Sequence, residues 1–387
     1  MVNELPLAAG EILVPVSASN SLIRHNAILL PERPEPYGDV ATLVAEIDAY
    51  LGRYVVLSGW FQRLAAYYIL FTWLYDAFEE VPYLRVQADF GSGKTRALIV
   101  IGSLCYRAFF ASGASTVSPI FHTLDTFRGT LVLDEADFRF SDQTAELVKI
   151  LNAGNVRGFP VFRTAITIKR EFDPRAFQVF GPKLIAMRKS FEDEALESRF
   201  ITERMEAIRT RPDIPLNLPP VQREEATVLR NKLLQYRFDH RLSAKADASL
   251  IDPELSPRTN QILIPLLSII PDEATRCEAR RALAQIESER TSARSTTIDA
   301  ELLGVVLELS SARQGEPVPL ADISLHFNKR FSVEYDRPLS NRYVGSLLRS
   351  KLGLSTYKKH GVYVLTTEAS RLAALAARYG LTQEPLA

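Results

Sequence analysis

The sequence predicts an α/β fold, a parallel sheet with flanking helices built round a phosphate-binding loop, and three observations carry that prediction. The first is Ala88-Asp89-Phe90-Gly91-Ser92-Gly93-Lys94-Thr95, which has the (A/G)-x4-G-K-(S/T) form of such a loop. The second is its context: residues 82–87 alternate like a short strand, and residues 95–105 read as a buried helix. The third is the apolar strand at 129–137, which ends in the carboxylates Asp134 and Glu135.

Glycines in such a loop let successive backbone N–H groups turn inward around phosphates, and the following helix adds its positive N-terminal end. Ala88, Gly91, Ser92, Gly93, Lys94 and Thr95 are therefore the expected nucleotide-binding residues. Lys94 would reach the β- and γ-phosphates and Thr95 would hold Mg²⁺. Alanine at the first position is tolerated because the tight turn depends on Gly91 and Gly93.

The remaining elements follow in chain order. Residues 1–36 are proline-rich without a sustained period, an extended arm free to lie on a neighbouring subunit. Residues 37–80 have helical apolar spacing, and the apolar stretch 54–78 raises the membrane question. Arg63 and Asp76 interrupt it, so a buried helical layer is expected, one available to a subunit interface. The nucleotide-binding core is placed at 81–205. Within it, 143–152 reads as a helix, 158–168 alternates like a strand, Lys169, Arg170 and Arg175 follow at a hairpin tip, and 183–187 is a further strand. A proline-rich linker at 211–220 opens a region, 206–295, whose helices at 221–241, 257–270 and 272–293 suggest an α-helical lid.

The last segment, 296–387, reads as helices at 300–311, 320–331 and 340–352 and then a hairpin at 356–365, the order of a C-terminal winged helix. Arg342, Arg349, Lys351, Lys358 and Lys359 lie on its third helix and wing without an intervening acid, the footprint expected of phosphate contacts. Such modules also dock proteins, so DNA and a protein partner both stay open for this surface.

The carboxylates have distinct expected roles, Asp134 in the Mg²⁺ shell and Glu135 polarising the attacking water. Phosphoryl transfer usually needs an arginine opposite them. Arg199 in Ser198-Arg199-Phe200 is the candidate, either as a finger supplied to an adjacent subunit or as a member of an intrasubunit salt bridge. Arg258 is either a lid arginine sensing the γ-phosphate or a solvated helix-start residue. The strand at 184–187 ends in Met187-Arg188-Lys189-Ser190, without the asparagine expected of a polar sensor there. Lys169, Arg170 and Arg175 either face a pore and track a nucleic-acid backbone or form a solvated hairpin tip.

Composition bounds these readings. A chain of 387 residues, 47% hydrophobic and 24% charged, is globular and long enough for two or three domains. Its 46 basic and 46 acidic residues cancel, so a nucleic-acid partner must be met by local patches. Cys105 and Cys277 lack metal-ligand spacing and fit a reducing cytoplasm, and no secretion signal is read at the N-terminus.

With these residues assembled, the chain resembles the AAA+ ATPases of phage, plasmid and genomic-island replication, which are similar in layout to minichromosome maintenance helicases. The resemblance rests on residues 91–95, Leu133-Asp134-Glu135-Ala136-Asp137, Ile150-Leu151-Asn152-Ala153-Gly154, Phe180-Gly181-Pro182-Lys183 and Glu197-Ser198-Arg199-Phe200. It implies ATP and Mg²⁺ as ligands and a ring, usually a hexamer. It also implies ATP sites between subunits, single-stranded DNA in the pore, duplex at the winged helix, and a primase or initiator as partner. The sensor asparagine is absent, as is a zinc-binding N-terminal domain. Two rivals remain open: a helicase loader or origin switch without unwinding, and an ATP-gated regulator that reads a specific DNA site.

Overall fold

Strands that bury both faces have near-continuous apolar runs, and a parallel sheet made of them needs helical crossovers on its faces. A computed structural model of the chain has this architecture. The structure describes residues 5–6, 12–13, 16–134, 142–166, 172–191, 193–205, 211–295, 297–313, 316–331, 338–366 and 368–381. They fall into two compact units, 1–282 and 283–387.

The first unit opens with two helices, α1 (Val40–Tyr54) and α2 (Gly59–Leu74). Asp39 starts α1 by accepting the Thr42 N–H at 2.7 Å. In α2, Phe61 and every residue from Leu64 to Leu74 are buried, which is why the run is apolar on all sides. There follow β1 (Tyr83–Gln87), α3 (Lys94–Gly102), β2 (Phe109–Ser112), α4 (Val117–Phe127), β3 (Leu131–Asp134) and α5 (Asp142–Ala153). A hairpin of β4 (Val161–Ile166) and β5 (Phe172–Phe177) leads to β6 (Lys183–Met187), the one-turn α6 (Glu194–Glu197) and β7 (Phe200–Arg204).

The five-stranded sheet has the order β2-β3-β6-β1-β7, with every neighbouring pair parallel. Helix α3 lies close on β3 because Gly102 has no side chain. A Cβ there would stand 2.9 Å from Val132 Cγ2.

Further helices follow, α7 (Pro220–His240) and α8 (Pro257–Leu267) in this unit and α9 (Glu273–Ser295), which crosses the boundary at 282. Helix α7 lies along α1 and α2, joined by Arg53–Glu225 at 2.7 Å and Lys232–Glu46 at 2.6 Å. The two charges that interrupt the apolar stretch are both answered. Arg63 pairs with Glu278 at 2.9 Å, and Asp76 accepts from both Arg237 and Arg241 at 2.8 Å. Among the described residues no helix is long and apolar enough to cross a membrane. Residues 64–74 form the buried layer that the sequence predicts, whereas Gly59 and Arg63 of the same stretch are exposed.

Residues 28–32 of the N-terminal arm lie against their own chain. Ile28 bridges to Phe109, the Leu29 N–H donates to the Ala108 carbonyl at 2.9 Å, and the Glu32 N–H donates to Asn231 Oδ1 at 2.9 Å. The backbone groups of an irregular segment must be satisfied somewhere, and here the edge strand β2 and helix α7 satisfy them.

Asp76 gives a direct stability test. Its burial opposes ionisation, but the hydrogen bonds and charges of Arg237 and Arg241 outweigh that and hold the carboxyl below its ordinary range. A folded value below the unfolded one means the contribution is fully present above about pH 4 and fades as pH falls through the folded value. Asp76→Asn strands two half-buried guanidinium groups and should cost roughly 2–3 kcal/mol at neutral pH, with partial exposure of the carboxylate limiting the loss. Thermal melts should show that deficit at pH 7 and its shrinkage below pH 4.

The second unit contains α10 (Ile298–Ala312), β8 (Val318–Pro319), α11 (Leu320–Arg330), α12 (Asn341–Ser350), β9 (Thr356–Lys359), β10 (Val362–Leu365) and α13 (Ala369–Arg378). Its sheet has the order β8-β10-β9 and is antiparallel. Leu302, Val306, Ile323, Phe327, Val344, Leu348 and Leu365 form its core. His360 at φ +49° and Gly361 at φ +87° make the two-residue hairpin turn.

Candidate nucleoside triphosphate site

The phosphate loop is the connection between β1 and α3. Its two glycines take the conformation an L side chain avoids, Gly91 at φ +73° and Gly93 at φ +89°, and Gly93 directly precedes the helix. Lys94, the first residue of α3, folds back across the loop. Its ammonium donates to the carbonyls of Ala88 at 2.7 Å and Asp89 at 2.5 Å, and Ser92 Oγ donates to Asp89 O at 2.7 Å. Backbone N–H groups at a helix start and a lysine held at the loop mouth together form an anion site.

Asp134 ends β3, and the Thr95 hydroxyl donates to its Oδ2 at 2.7 Å. A hydroxyl and a carboxylate at that separation, beside a phosphate loop, fit Mg²⁺, which takes few protein ligands and completes its shell with phosphate oxygens and water. Glu135 lies outside the described residues, as do Lys169 and Arg170.

Strand β6 runs between β1 and β3, so its C-terminal end lies between the phosphate loop and Asp134. Residues after Met187 therefore lie beside both groups, where the sequence reading looked for a polar sensor. The Arg188 guanidinium carbon stands 4.1 Å from the centre of the Phe90 ring, and the Arg188 carbonyl accepts from Gln87 Nε2 at 3.1 Å. Arg96 of α3 holds the linker at Pro215 and Leu216 through their carbonyls, which brings the 211–218 segment beside the same loop. Arg96 was not singled out in the sequence, because its partners are backbone atoms on a distant segment.

Arg199 is at the opposite, N-terminal end of the strands. Strand β7 runs parallel to β1 with Tyr83 opposite Phe200 and Gln87 opposite Arg204, so Arg199 precedes the first pair whereas the phosphate loop follows the last. The intervening strand spans roughly 16 Å at about 3.3 Å per residue, further than an arginine side chain reaches. Arg199 Nε donates to Asn155 Oδ1 at 2.7 Å, and its other nitrogens reach the Ala195 carbonyl at 2.7 Å and Asn152 Oδ1. Arg258, at the start of α8, points to the same Asn155 oxygen at 3.4 Å. Like Arg199, it is therefore remote from the phosphate loop of its own chain.

Among the described residues neither arginine has a carboxylate partner, so the salt-bridge alternative for Arg199 is not the observed arrangement. Burial, and then the charge of Arg258, pull the Arg199 pKa down. The carboxylates nearest the two cations act through intermediaries, Asp193 beyond Asn152 for Arg199 and Glu80 beyond Gln261 for Arg258.

Several residues that build this end of the sheet carried no role in the sequence reading. Asn155 is fully buried, and its Nδ2 has no partner among the described residues. Asn152 Nδ2 donates to Asp193 at 2.8 Å. Lys183 is fully buried, its ammonium donating to the carbonyls of Gly154, Val179 and Gly181 at 3.2, 2.8 and 2.7 Å, and burial pulls its pKa well down. It ties the segment carrying Asn155 to the start of β6. A Cβ on Gly154 would come within 2.5 Å of the Lys183 ammonium, which explains the glycine. Arg85 in β1 is buried against Glu197, two residues before Arg199, and so links the strand feeding the phosphate loop to the turn bearing Arg199.

The predicted hairpin is present with a different second strand, because β4 pairs with β5 at 172–177 whereas 183–187 joins the parallel sheet, and Arg175 is therefore not at its tip. It pairs across from Arg163 within the strands, is exposed, and lies 3.3 Å from Asp173. In the second unit Arg342, Arg349, Lys351, Lys358 and Lys359 are all exposed on α12, its C-terminal cap and β9.

No protein-family profile and no curated protein sequence matches the chain. Solved structures with some likeness include the apo C-terminal region of NrS-1, at 12% identity over 95% of this chain and 83% of that one, with a TM-score of 0.43. JCV helicase bound to a small molecule has 14% identity over 65% of this chain and 62% of that one, with a TM-score of 0.28. The Aeropyrum pernix ORC1 protein in complex with DNA has 16% identity over 84% and 93%, with a TM-score of 0.24. Likenesses of this degree leave the function to be argued from the geometry of the chain, whose described core is an α/β sheet around a phosphate loop.

Proposed function

We propose that this chain is an AAA+ ATPase that assembles into a ring, a hexamer by the family resemblance, and works as a DNA helicase in the replication of a mobile genetic element. One observation carries the reading. The phosphate loop with Lys94, Thr95 and Asp134 is at the C-terminal end of the parallel strands, and Arg199 and Arg258 are near the N-terminal end of β7 without a direct ion pair among the described residues. In this reading each end of the strands supplies half of a catalytic site, and copies stacked head to tail complete the sites between them.

In this reading Lys94 and the loop N–H groups position the β- and γ-phosphates of ATP, and Thr95 with Asp134 holds the metal. Mg²⁺, when bound, neutralises charge building on the phosphate oxygens. Glu135 orients and polarises the attacking water. Arg199 of the neighbouring copy meets the charge developing on the transferred phosphoryl group, with Arg258 beside it. The helices α7–α9 serve as the lid region. The hairpin with Arg175 faces the pore and follows single-stranded DNA, and the second unit, read as a winged helix, holds DNA.

Steady-state ATPase activity over a protein-concentration series, with and without single-stranded DNA, tests the proposal. Specific activity should climb with concentration, because a site needs two copies, and single strands should stimulate it. Turnover that is independent of concentration and indifferent to DNA would overturn the motor and the shared site together. Concentration-dependent turnover without strand separation would leave a loader or switch.

A further inference from the structure

In the second unit, α12 and the β9–β10 hairpin stand on either side of a cleft of about 650 Å³. Arg342, Gly345 and Arg349 come from the helix wall, Thr356 and Tyr363 from the hairpin wall, and Leu320 from the floor. The cleft is polar and cationic at the rim and apolar at its base, and no Asp or Glu is among its lining residues.

Two features set its shape. Gly345 leaves the base open, since a Cβ there would come within 3.0 Å of Leu320 Cδ1 and 3.1 Å of the Arg349 guanidinium. Arg349 crosses from helix to hairpin and donates to Thr356 Oγ1 at 2.8 Å, which fixes its guanidinium in the cleft before any ligand arrives. Tyr363 lies directly across from Lys358 and shares a face of the hairpin with Leu365, two residues on, which is buried in the core. Its ring therefore overhangs the core side, where it is 56% exposed.

We propose that this cleft seats one unpaired nucleotide of a single DNA strand, its base against Tyr363 and the Gly345–Leu320 base, its phosphate on Arg342 and Arg349. The inference rests on the reading that the second unit binds nucleic acid, and it names the form of nucleic acid. Every base has an apolar ring face that rewards stacking on an aromatic side chain, and every strand carries a phosphate for a guanidinium. In a duplex both faces of each base are covered by its stacked neighbours, so only an unpaired base can enter an apolar-floored cleft. Held there, a strand would be kept apart from its complement by the same unit that anchors the chain on DNA.

The full-length protein tests this with a single-stranded oligonucleotide and a duplex of the same sequence, followed by fluorescence anisotropy. Tyr363→Ala should weaken single-strand binding about tenfold, Tyr363→Phe should retain it, and duplex binding should be unchanged. Arg349→Ala should lower the salt dependence of single-strand binding by about 0.7 in log–log slope. Photocrosslinking with a 5-iododeoxyuridine strand should map to the peptide bearing Tyr363, which identifies the seat even where the Arg175 hairpin holds the same strand.

If Arg342→Ala and Arg349→Ala weaken single strand and duplex alike while Tyr363→Ala does nothing, the base seat is wrong and the unit grips backbone only. If no variant alters either affinity and no crosslink falls in the second unit, its role as a nucleic-acid binder fails with it.

Discussion

Arg199→Ala should lower kcat by about 10³- to 10⁵-fold and leave nucleotide binding close to wild type. In the proposed function the arginine meets charge that exists only in the transition state, and it is at the end of the strands away from its own phosphate loop. The same placement predicts a recovery that no intrachain role would give. Mixed with Lys94→Ala subunits, the inactive Arg199→Ala chains should regain about one quarter of wild-type turnover per site at a 1:1 ratio, because half the loops and half the arginines are intact and they combine at random around a ring. Turnover of the mixture can be followed by phosphate release. A mixture as silent as its components would show that Arg199 acts within its own chain. Asn155→Ala is the useful companion: it removes the oxygen on which Arg199 and Arg258 converge, so it should reduce kcat while sparing the affinity for ATP.

Exchanging the two carboxylates should separate their roles as sharply. Asp134 accepts the Thr95 hydroxyl at 2.7 Å, and the proposed function assigns both groups to the Mg²⁺ shell. Asp134→Asn should therefore raise the Mg²⁺ concentration needed for half-maximal activity, and excess metal should recover part of the rate. Glu135→Gln should instead lower kcat by about 10²- to 10⁴-fold, the usual contribution of a positioned base, with no recovery by metal and with ATP retained on the protein. Metal titrations of turnover, alongside binding of a fluorescent ATP analogue, check both. Equal rescue of the two variants by Mg²⁺ would assign both carboxylates to the metal.

Much of the loop's chemistry was readable along the chain, because it is local. Gly91, Gly93, Lys94 and Thr95 do their work within one turn, and the structure gives the two glycines the positive φ that their pattern requires. The first hairpin strand, 161–166, and the helix order of the second unit were legible for the same reason, their apolar periods being short-range signals, whereas the second hairpin strand, 172–177, was read as part of the tip. Strand β2 and helices α4 and α13 were not anticipated. Phe109–Ser112 is only four residues long, and at a sheet edge it is half covered, so it lacks the continuous apolar run of a central strand.

By itself, the sequence determined that a phosphate loop and an acidic strand exist and that basic residues gather in the last segment, because glycine conformations, apolar periodicity and charge spacing are properties of neighbouring residues. Only the tertiary structure decided which end of the strands each group occupies. It placed β6 between β1 and β3, set Arg199 and Arg258 on Asn155 at the end of the strands opposite Lys94, turned residues 28–35 onto their own chain, and buried Lys183 among three carbonyls. Each of these depends on pairings between segments far apart in the chain. Such pairings follow from strand register and the satisfaction of buried polar groups, which no local pattern encodes.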